Sequence, residues 1–161
     1  FIEKNMGYKV LSLEGDTCVD FPLTAAILFE KQNMIKIGMF DEDLFIYYPD
    51  IEIGRRIKDN NKSVTQIYNS KAIHQMGKLK IKNPIKRVFF RNYFYTLDGL
   101  IYFFKKDYNL KPFYELQKNI FGLMITSILS IFLLRFAQSI ESFSKVLAYY
   151  KFKFFYLKKN N

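Results

Sequence analysis

The residues best suited to chemistry in this chain are a group of carboxylates and one distant imidazole. The carboxylates lie in the acidic, aromatic run FDEDLFIYYPDIEIGRR, residues 40–56, and the imidazole belongs to His74, the only histidine. A carboxylate can deprotonate a hydroxyl group, and carboxylates together with an imidazole can hold a divalent cation. Proton abstraction and metal-assisted group transfer are therefore the chemistry that these residues suggest.

Two local elements are predicted to bring the acidic run and the histidine together. Ile53 and Ile57 have helical spacing among polar neighbours, Asp50 is the predicted N-cap of this helix, and Asn60 and Asn61 are predicted to end it. The following segment KSVTQIY, residues 62–68, alternates like a strand and leads to His74. An upstream apolar run, residues 19–29, is predicted to be a buried strand. The simpler interpretation is a solvated acidic surface and a structural histidine, because short motifs often match by chance.

Composition and charge divide the chain into two regions. The 161 residues are half apolar and 19% aromatic, which predicts a folded chain with a core. Cys18 is the only cysteine, which excludes an intrachain disulfide and a thiolate metal cluster and fits an intracellular compartment. Residues 1–77 have a net charge of −2, whereas residues 78–161 have a net charge of +12. The basic region suits an anionic partner such as a lipid surface or a nucleic acid.

The basic region is predicted to be helical. Residues 88–106 form an aromatic helical pattern, and a second helical run after Pro112 contains the uncharged stretch 120–134. That stretch would be roughly 22 Å long as a helix, shorter than the roughly 30 Å hydrocarbon core, so its length favours lying on a membrane over crossing it and leaves both arrangements open. The final segment KVLAYYKFKFFYLKK mixes lysines with aromatic residues, as interfacial segments do.

The motifs FDEDLF, FIYYPDIEIGRR and AIHQMG resemble bacterial family-2 glycosyltransferases of the GT-A fold. The similarity is greatest to the rhamnosyltransferase-like and galactofuranosyltransferase-like branches and covers about residues 20–95. Their pattern is matched by Phe45, Ile46, Tyr48, Asp50, Glu52, Arg56 and, about two dozen residues after the aspartate, His74. Pro49 stands where many relatives have an acidic residue. The segment FFRN, residues 89–92, also resembles an aromatic-Arg-Asn stretch of such enzymes.

The resemblance implies an α/β fold in two parts. Residues 1–83 would be the acceptor-side half of a GT-A, Rossmann-like catalytic domain, and residues 84–161 a helical region on the membrane surface. The family's donor-binding half carries an Asp-x-Asp motif, whereas the only such pattern here, residues 41–43, lies on the acceptor side. We therefore expect the chain to be the C-terminal portion of a longer enzyme and to be inactive alone.

The resemblance also implies a reaction and its residues. An inverting transferase would move a sugar from a nucleotide-sugar donor to a glycan or lipid-linked acceptor in cell-envelope polysaccharide synthesis, at the cytoplasmic face of the membrane. Asp50 would be the catalytic base, and His74 a ligand of Mn²⁺ or Mg²⁺. Arg56 is expected to pair with Glu52. The predicted substrate-binding residues are Asp41, Glu42, Asp43, Glu52, Arg91 and Asn92.

Two other functions fit parts of the sequence. In the first, the chain is a non-enzymatic, membrane-associated protein whose basic aromatic tail is the working part. The second is nucleic-acid binding by lysines and stacking aromatic rings, but no recognisable nucleic-acid-binding module accompanies them. The prediction is therefore an enzyme without a nucleic-acid partner.

Overall fold

The computed structural model describes residues 15–22, 26–72, 81–107 and 109–160. The chain forms two compact units. The first comprises Phe1–Asp41 and Pro49–Lys78, and the second comprises Glu42–Tyr48 and Leu79–Asn161. The chain therefore leaves the first unit for seven residues, contributes a loop to the second, and returns at Pro49.

The first unit packs short elements around a small apolar core. Its elements are β1 (Thr17–Val19), α1 (Lys31–Lys36), α2 (Pro49–Asp59) and β2 (Val64–Gln66). β1 and β2 pair antiparallel, with Cys18 opposite Thr65. Met34 of α1 and Ile53 and Ile57 of α2 are buried together, because the isoleucines are one helical turn apart on the same face.

Helix ends in the first unit use left-handed residues. α1 ends in a Schellman motif, in which the Gly38 N–H donates to the Ile35 carbonyl and the Met39 N–H to the Met34 carbonyl. Gly38 has φ +91°, a conformation that glycine adopts without strain. α2 ends in the same way with Asn61 at φ +54°. The sequence prediction that the Asn60–Asn61 pair ends this helix is confirmed.

The segment before α1 approaches the backbone of α2 closely at Gly54. A Cβ atom added to Gly54 would lie 2.5 Å from Cβ and 2.7 Å from Cα of Phe21, and 3.0 Å from the carbonyl oxygen of Asp20. Only glycine leaves room for this contact, because real Cβ atoms do not approach other heavy atoms so closely. Gly54 therefore fixes the position of residues 20–21 against α2.

The second unit is an assembly of long helices. Its elements are α3 (Pro84–Asp107), α4 (Lys111–Phe132), α5 (Phe136–Lys151), a π-helical segment (Phe152–Leu157) and α6 (Lys158–Asn160). α5 packs against both α3 and α4. Aromatic rings fill much of the core, and Phe113 stacks on Tyr149 with ring centroids 5.0 Å apart. Phe152 is fully buried between Phe104 and Phe113.

The helical predictions for the basic region are confirmed, with one change at the start of α3. The aromatic pattern predicts helix from residue 88, but α3 already begins at Pro84. Proline is tolerated at the first helical position because its missing N–H has no intrahelical partner there. The Asn83 side-chain oxygen accepts hydrogen bonds from the N–H groups of Ile85 and Lys86, at 2.9 and 3.2 Å, and so caps the helix.

The predicted α/β fold is wrong. About 65% of the described residues are helical and 5% are in strands, and these residues form one two-stranded sheet with no Rossmann-like sheet. Among the described residues of the predicted strand 19–29, which are 19–22 and 26–29, only Val19 belongs to a strand, and the predicted strand 62–68 is limited to Val64–Gln66. A three-residue antiparallel ribbon has no βαβ crossover, so these residues do not build half of a GT-A domain.

The basic aromatic tail is partly buried. Tyr149 and Phe152 lie in the core of the second unit, whereas Phe154 and Phe155 are exposed. The Lys151 ammonium lies 4.3 Å from the centroid of the Phe155 ring. No helix in the described part of the chain combines the length and the apolar character needed to cross a membrane.

Candidate functional site

The candidate catalytic residue, Asp50, lies in the first turn of α2. The helix begins at Pro49, so Asp50 stands one position inside the helix rather than at the predicted N-cap. Tyr48, immediately before the helix, has φ +70° and turns the chain sharply. Asp50 is half-buried, and the unsatisfied N–H groups of the first helical turn interact favourably with a negative charge at that position.

Glu52 and Arg56, further along the same helix, form a largely buried ion pair. Arg56 Nε donates to Glu52 Oε1 at 2.6 Å, and Arg56 Nη2 donates to Glu52 Oε2 at 2.7 Å. Such a two-pronged bond is stronger and more directional than a single ionic contact. The predicted pairing of these two residues is present. Because Glu52 is only 5% exposed and both of its oxygens are bonded to Arg56, we treat it as a positioning residue.

The remaining donors of Arg56 tie α2 to the turn that ends α1. Its Nη1 donates to the Ile37 carbonyl, and its Nη2 donates to the Met39 carbonyl. The left-handed conformations of Gly38 and Met39 turn these carbonyls toward the guanidinium group. One arginine therefore links the helix that carries Asp50 to the preceding helix end.

The other acidic residues of the run have different surroundings. Asp41 is half-buried in the first unit, and Glu42 is exposed in the second. Asp43 belongs to the second unit, where Lys105 Nζ lies 2.6 Å from its Oδ2 and the Tyr156 hydroxyl donates to the same oxygen at 3.3 Å. The hydrogen bond from Lys105 lowers the pKa of Asp43 below its ordinary value of 3.8. Asp43 therefore anchors the loop 42–48 to α3 and the π-helical segment.

Asp98 is a buried carboxylate that the sequence analysis missed. Its Oδ2 accepts hydrogen bonds from the N–H groups of Ile46 and Tyr47 at 2.9 and 2.8 Å, while Oδ1 has no hydrogen-bond partner among the described residues. The signal in the sequence that could have found it is that Asp98 is the only acid within the predicted aromatic helix 88–106, where a buried carboxyl group needs hydrogen-bond partners. Asp98 holds the loop that immediately precedes Pro49.

Tyrosines of the loop 42–48 pack on α3. The ring of Tyr48 stacks on that of Tyr102, with centroids 5.2 Å apart, and contacts that of Tyr95. Burial, followed by the hydrogen bond with Tyr95, raises the pKa of the Tyr48 hydroxyl above its ordinary value of 10.0. The ring contacts therefore make Tyr48 a packing residue of the second unit.

The two predicted substrate residues of α3 differ in their availability. Arg91 is exposed on the helix surface. The Asn92 amide donates to the Val88 carbonyl of its own helix at 2.9 Å. Arg91 thus retains the exposure that an acceptor contact requires, whereas Asn92 uses its donor within the helix.

The predicted metal ligand, His74, lies outside the described residues. Within the ranges that the structure describes, no three His, Cys, Asp or Glu side chains are grouped as a metal site requires. The described residues therefore offer no set of ligands into which Mn²⁺ or Mg²⁺ fits. His74 and the metal stay predictions from the sequence.

Comparisons with known proteins identify no relative of this chain. No protein-family model, no curated protein and no solved structure matches it.

Proposed function

We propose that this chain supplies the catalytic base and acceptor-side residues of an inverting glycosyl transfer. The donor is a nucleotide sugar, and the acceptor is a glycan or lipid-linked sugar at the cytoplasmic face of the membrane. The observation that carries the proposal is the position of Asp50 in the first turn of a helix that Glu52 and Arg56 tie to the end of α1. The motif that spans these residues supports the same reaction.

The proposed reaction needs one proton transfer and one displacement. The Asp50 carboxylate removes the proton from an acceptor hydroxyl while that oxygen attacks the anomeric carbon of the donor. The bond from the anomeric carbon to the diphosphate breaks, and the nucleoside diphosphate leaves with the electron pair. The sugar is therefore transferred with inversion, and Asp50 holds the proton at the end of the step.

The first unit supports this role by limiting the motion of the base. Arg56 bonds Glu52 and two carbonyls, and Gly54 keeps α2 against residues 20–21. A carboxylate on a helix that is held in place stays close to the position and orientation in which it can accept a proton from the acceptor hydroxyl. We assign donor binding to residues outside the described ranges.

The test is a transfer assay with Asp50→Asn in the protein in which this chain occurs. We expect the substitution to lower kcat by about 10²- to 10⁴-fold, the usual contribution of a general base. Asp59→Asn is the matched control, because Asp59 is an exposed acid in the last turn of the same helix. Near-parental turnover of the Asp50→Asn protein would refute the proposal.

A second candidate function rests on the exposed apolar side chains of α4, α5 and the turn between them. Phe132 and Leu134 are 78% and 75% exposed. If the chain is a non-enzymatic, membrane-associated protein, Asp50→Asn changes neither membrane binding nor any cellular phenotype. Measuring both properties in the Asp50→Asn strain separates the two functions.

A further inference from the structure

The hairpin formed by α4 and α5 has its polarity reversed near the turn that joins them. Serines occupy buried positions of the two helices: Ser127, Ser130, Ser139, Ser142 and Ser144. In contrast, residues 131–138 are all exposed, and they include Ile131, Phe132, Leu133, Leu134 and Phe136. A hairpin that folds in water buries its large apolar side chains and exposes its hydroxyl groups. This hairpin does the opposite at its tip.

The hydroxyl groups hold the two helices together without help from solvent. Ser139 Oγ donates to the Ser127 carbonyl at 2.8 Å, and Ser127 Oγ donates to the Ser139 carbonyl at 3.1 Å. Small residues also let the two backbones approach closely, which is how helices pack in lipid, where apolar burial supplies no driving force. The interior of the hairpin is therefore stable in apolar surroundings.

The turn satisfies its own backbone groups in the same way. The N–H groups of Leu133, Leu134 and Arg135 donate to carbonyls of α4, and the Ser139 N–H donates to the Arg135 carbonyl. Leu134 stands at φ +57°, a left-handed position that favours glycine or asparagine. Leu134 is also 75% exposed, so in water the burial of its side chain does not offset the cost of this backbone conformation. Its side chain adds exposed apolar surface to the turn between α4 and α5.

Basic residues surround the same end of the second unit. Ile85 and Phe89 of α3 line one groove with Ile140 and Phe143 of α5, so the start of α3 lies beside the start of α5. The start of α3 and the residues just before it are basic, since residues 81–97 carry four lysines or arginines and no acid. Lys82, Lys86, Arg87 and Arg91 are all exposed. An apolar tip beside exposed positive charge is complementary to a bilayer with anionic headgroups.

We infer that the tip of the α4–α5 hairpin, residues 128–138, inserts into one leaflet of an anionic phospholipid bilayer. The depth is limited by α5, which extends only from Phe136 to Ile140 before the charged Glu141, about 8 Å at 1.5 Å per residue. This is the depth at which interfacial helices lie. Arg135 is exposed and long enough to reach the phosphates from that depth.

The charge distribution favours a bilayer over a second copy of the chain. Pairing two tips would place the basic starts of two α3 helices close together, and like charges would oppose the contact. A bilayer containing phosphatidylglycerol instead attracts each of those charges. The inference does not depend on glycosyl transfer, because binding is measured without donor or acceptor. Its failure would leave the Asp50 test unaffected.

The first experiment compares vesicle flotation of the 161-residue chain with that of a tip variant. The parent should float with vesicles of phosphatidylcholine and phosphatidylglycerol and bind phosphatidylcholine alone more weakly. Replacing Ile131, Phe132 and Leu133 by glutamine should weaken binding at least tenfold, because each loses apolar area that enters the bilayer. All three side chains are exposed, so the fold should persist, which circular dichroism checks.

The control variant changes two exposed aromatic residues of the tail. Phe154→Gln with Phe155→Gln should leave vesicle affinity within about twofold of the parent, since the inference assigns insertion to the hairpin. Loss of binding in this control together with retention in the tip variant would overturn the inference and make the tail the anchor. A parent dimer that the tip variant converts to monomer, without vesicle binding by either, would assign the tip to self-association instead.

A second experiment measures depth directly. In a Cys18→Ser background, a fluorophore on Phe132→Cys should be quenched by nitroxides on the acyl chains, whereas one on Phe155→Cys should not. The charge component is tested by Lys86→Gln and Arg87→Gln, each of which should weaken binding about fivefold, with Lys158→Gln and Lys159→Gln as controls. Quenching at residue 155 but not at residue 132 contradicts the inference.

Discussion

The Arg56 side chain joins α2 to the turn that ends α1 in the first unit. Its guanidinium group bonds both oxygens of Glu52 and two backbone carbonyls, at residues 37 and 39. Glu52 has 7% of its side chain exposed and Arg56 has 22%, so the pair is largely removed from water. Removing one partner of such a pair costs more than the pair contributes, because the other charge remains buried.

We therefore expect Arg56→Gln to lower the free energy of unfolding by about 3 kcal/mol. Lys58→Gln is the matched control, because the Lys58 side chain is 74% exposed and lies 3.4 Å from an exposed Asp20 carboxylate. That change should cost less than about 0.5 kcal/mol. Urea denaturation, followed by circular dichroism, measures the free energy of unfolding of both variants. Equal losses of stability in the two would show that the Glu52–Arg56 pair contributes no more than an exposed ion pair.

Asp43 gives the second unit a pH dependence with a definite sign. Its pKa is lowered in the folded chain, first by the hydrogen bond from Lys105, from an ordinary value of 3.8. A lowered pKa contributes stability above the unfolded value, and that contribution disappears as the pH falls through the folded value. The side chain is 50% exposed, so the screened contribution is about 0.5 kcal/mol.

We expect Asp43→Asn to be less stable than the parent at neutral pH and equally stable well below pH 3.8. Urea denaturation at several pH values measures the difference, which should narrow only on the acid side. Glu115→Gln, an exposed residue of α4, is the control and should show no such convergence. A difference that is constant with pH would contradict the assigned partner.

At the level of elements, glycines in two helices lead to opposite expectations. A side chain at Gly54 of α2 collides with the backbone of Phe21, whereas nothing lies within 4 Å of a Cβ at Gly122 of α4. Gly54→Ala should therefore destabilise the chain by about 3 kcal/mol, as overpacking against backbone does. Gly122→Ala should stabilise it by about 0.5 to 1 kcal/mol, because alanine loses less entropy in a helix. Thermal melts that shift in the same direction would contradict this contrast.

The elements predictable from the sequence are those whose signals are local. The helices α2, α3 and α4 follow from apolar periodicity and from end signals such as the Asn60–Asn61 pair. The sheet was not predictable, because an apolar run such as residues 19–29 becomes a strand only if another segment offers a hydrogen-bonding edge. The role of Asp98 was hidden for a similar reason, since its partners are backbone groups about 50 residues away in the chain. The motif indicated Asp50 as a candidate base and Arg56 as the partner of Glu52. It did not indicate that Asp43 forms an ion pair with Lys105.

At the scale of the whole molecule, the chain combines a helix-braced carboxylate in one unit with an apolar, basic-flanked hairpin in the other. An enzyme that uses lipid-linked acceptors gains from lying at the bilayer surface, because its substrate is concentrated there. In that case the hairpin makes the enzyme meet its substrate more often and does not change the rate of the chemical step. Tip variants should therefore lower activity toward a lipid-linked acceptor and leave activity toward a soluble acceptor unchanged.

Leu134 is the residue at which stability in water and membrane binding should conflict. Its left-handed conformation costs a non-glycine residue about 1 kcal/mol, so Leu134→Gly should raise the free energy of unfolding by about that amount. The same change removes an exposed apolar side chain from the hairpin tip and should weaken vesicle binding several-fold. Asn61→Gly is the control, because Asn61 occupies the equivalent left-handed position after α2, where asparagine is already tolerated. It should change stability by only a few tenths of a kcal/mol and leave vesicle binding unaffected. If Leu134→Gly instead lowers stability, the leucine side chain packs within the fold, and the assignment of this turn to the bilayer is wrong.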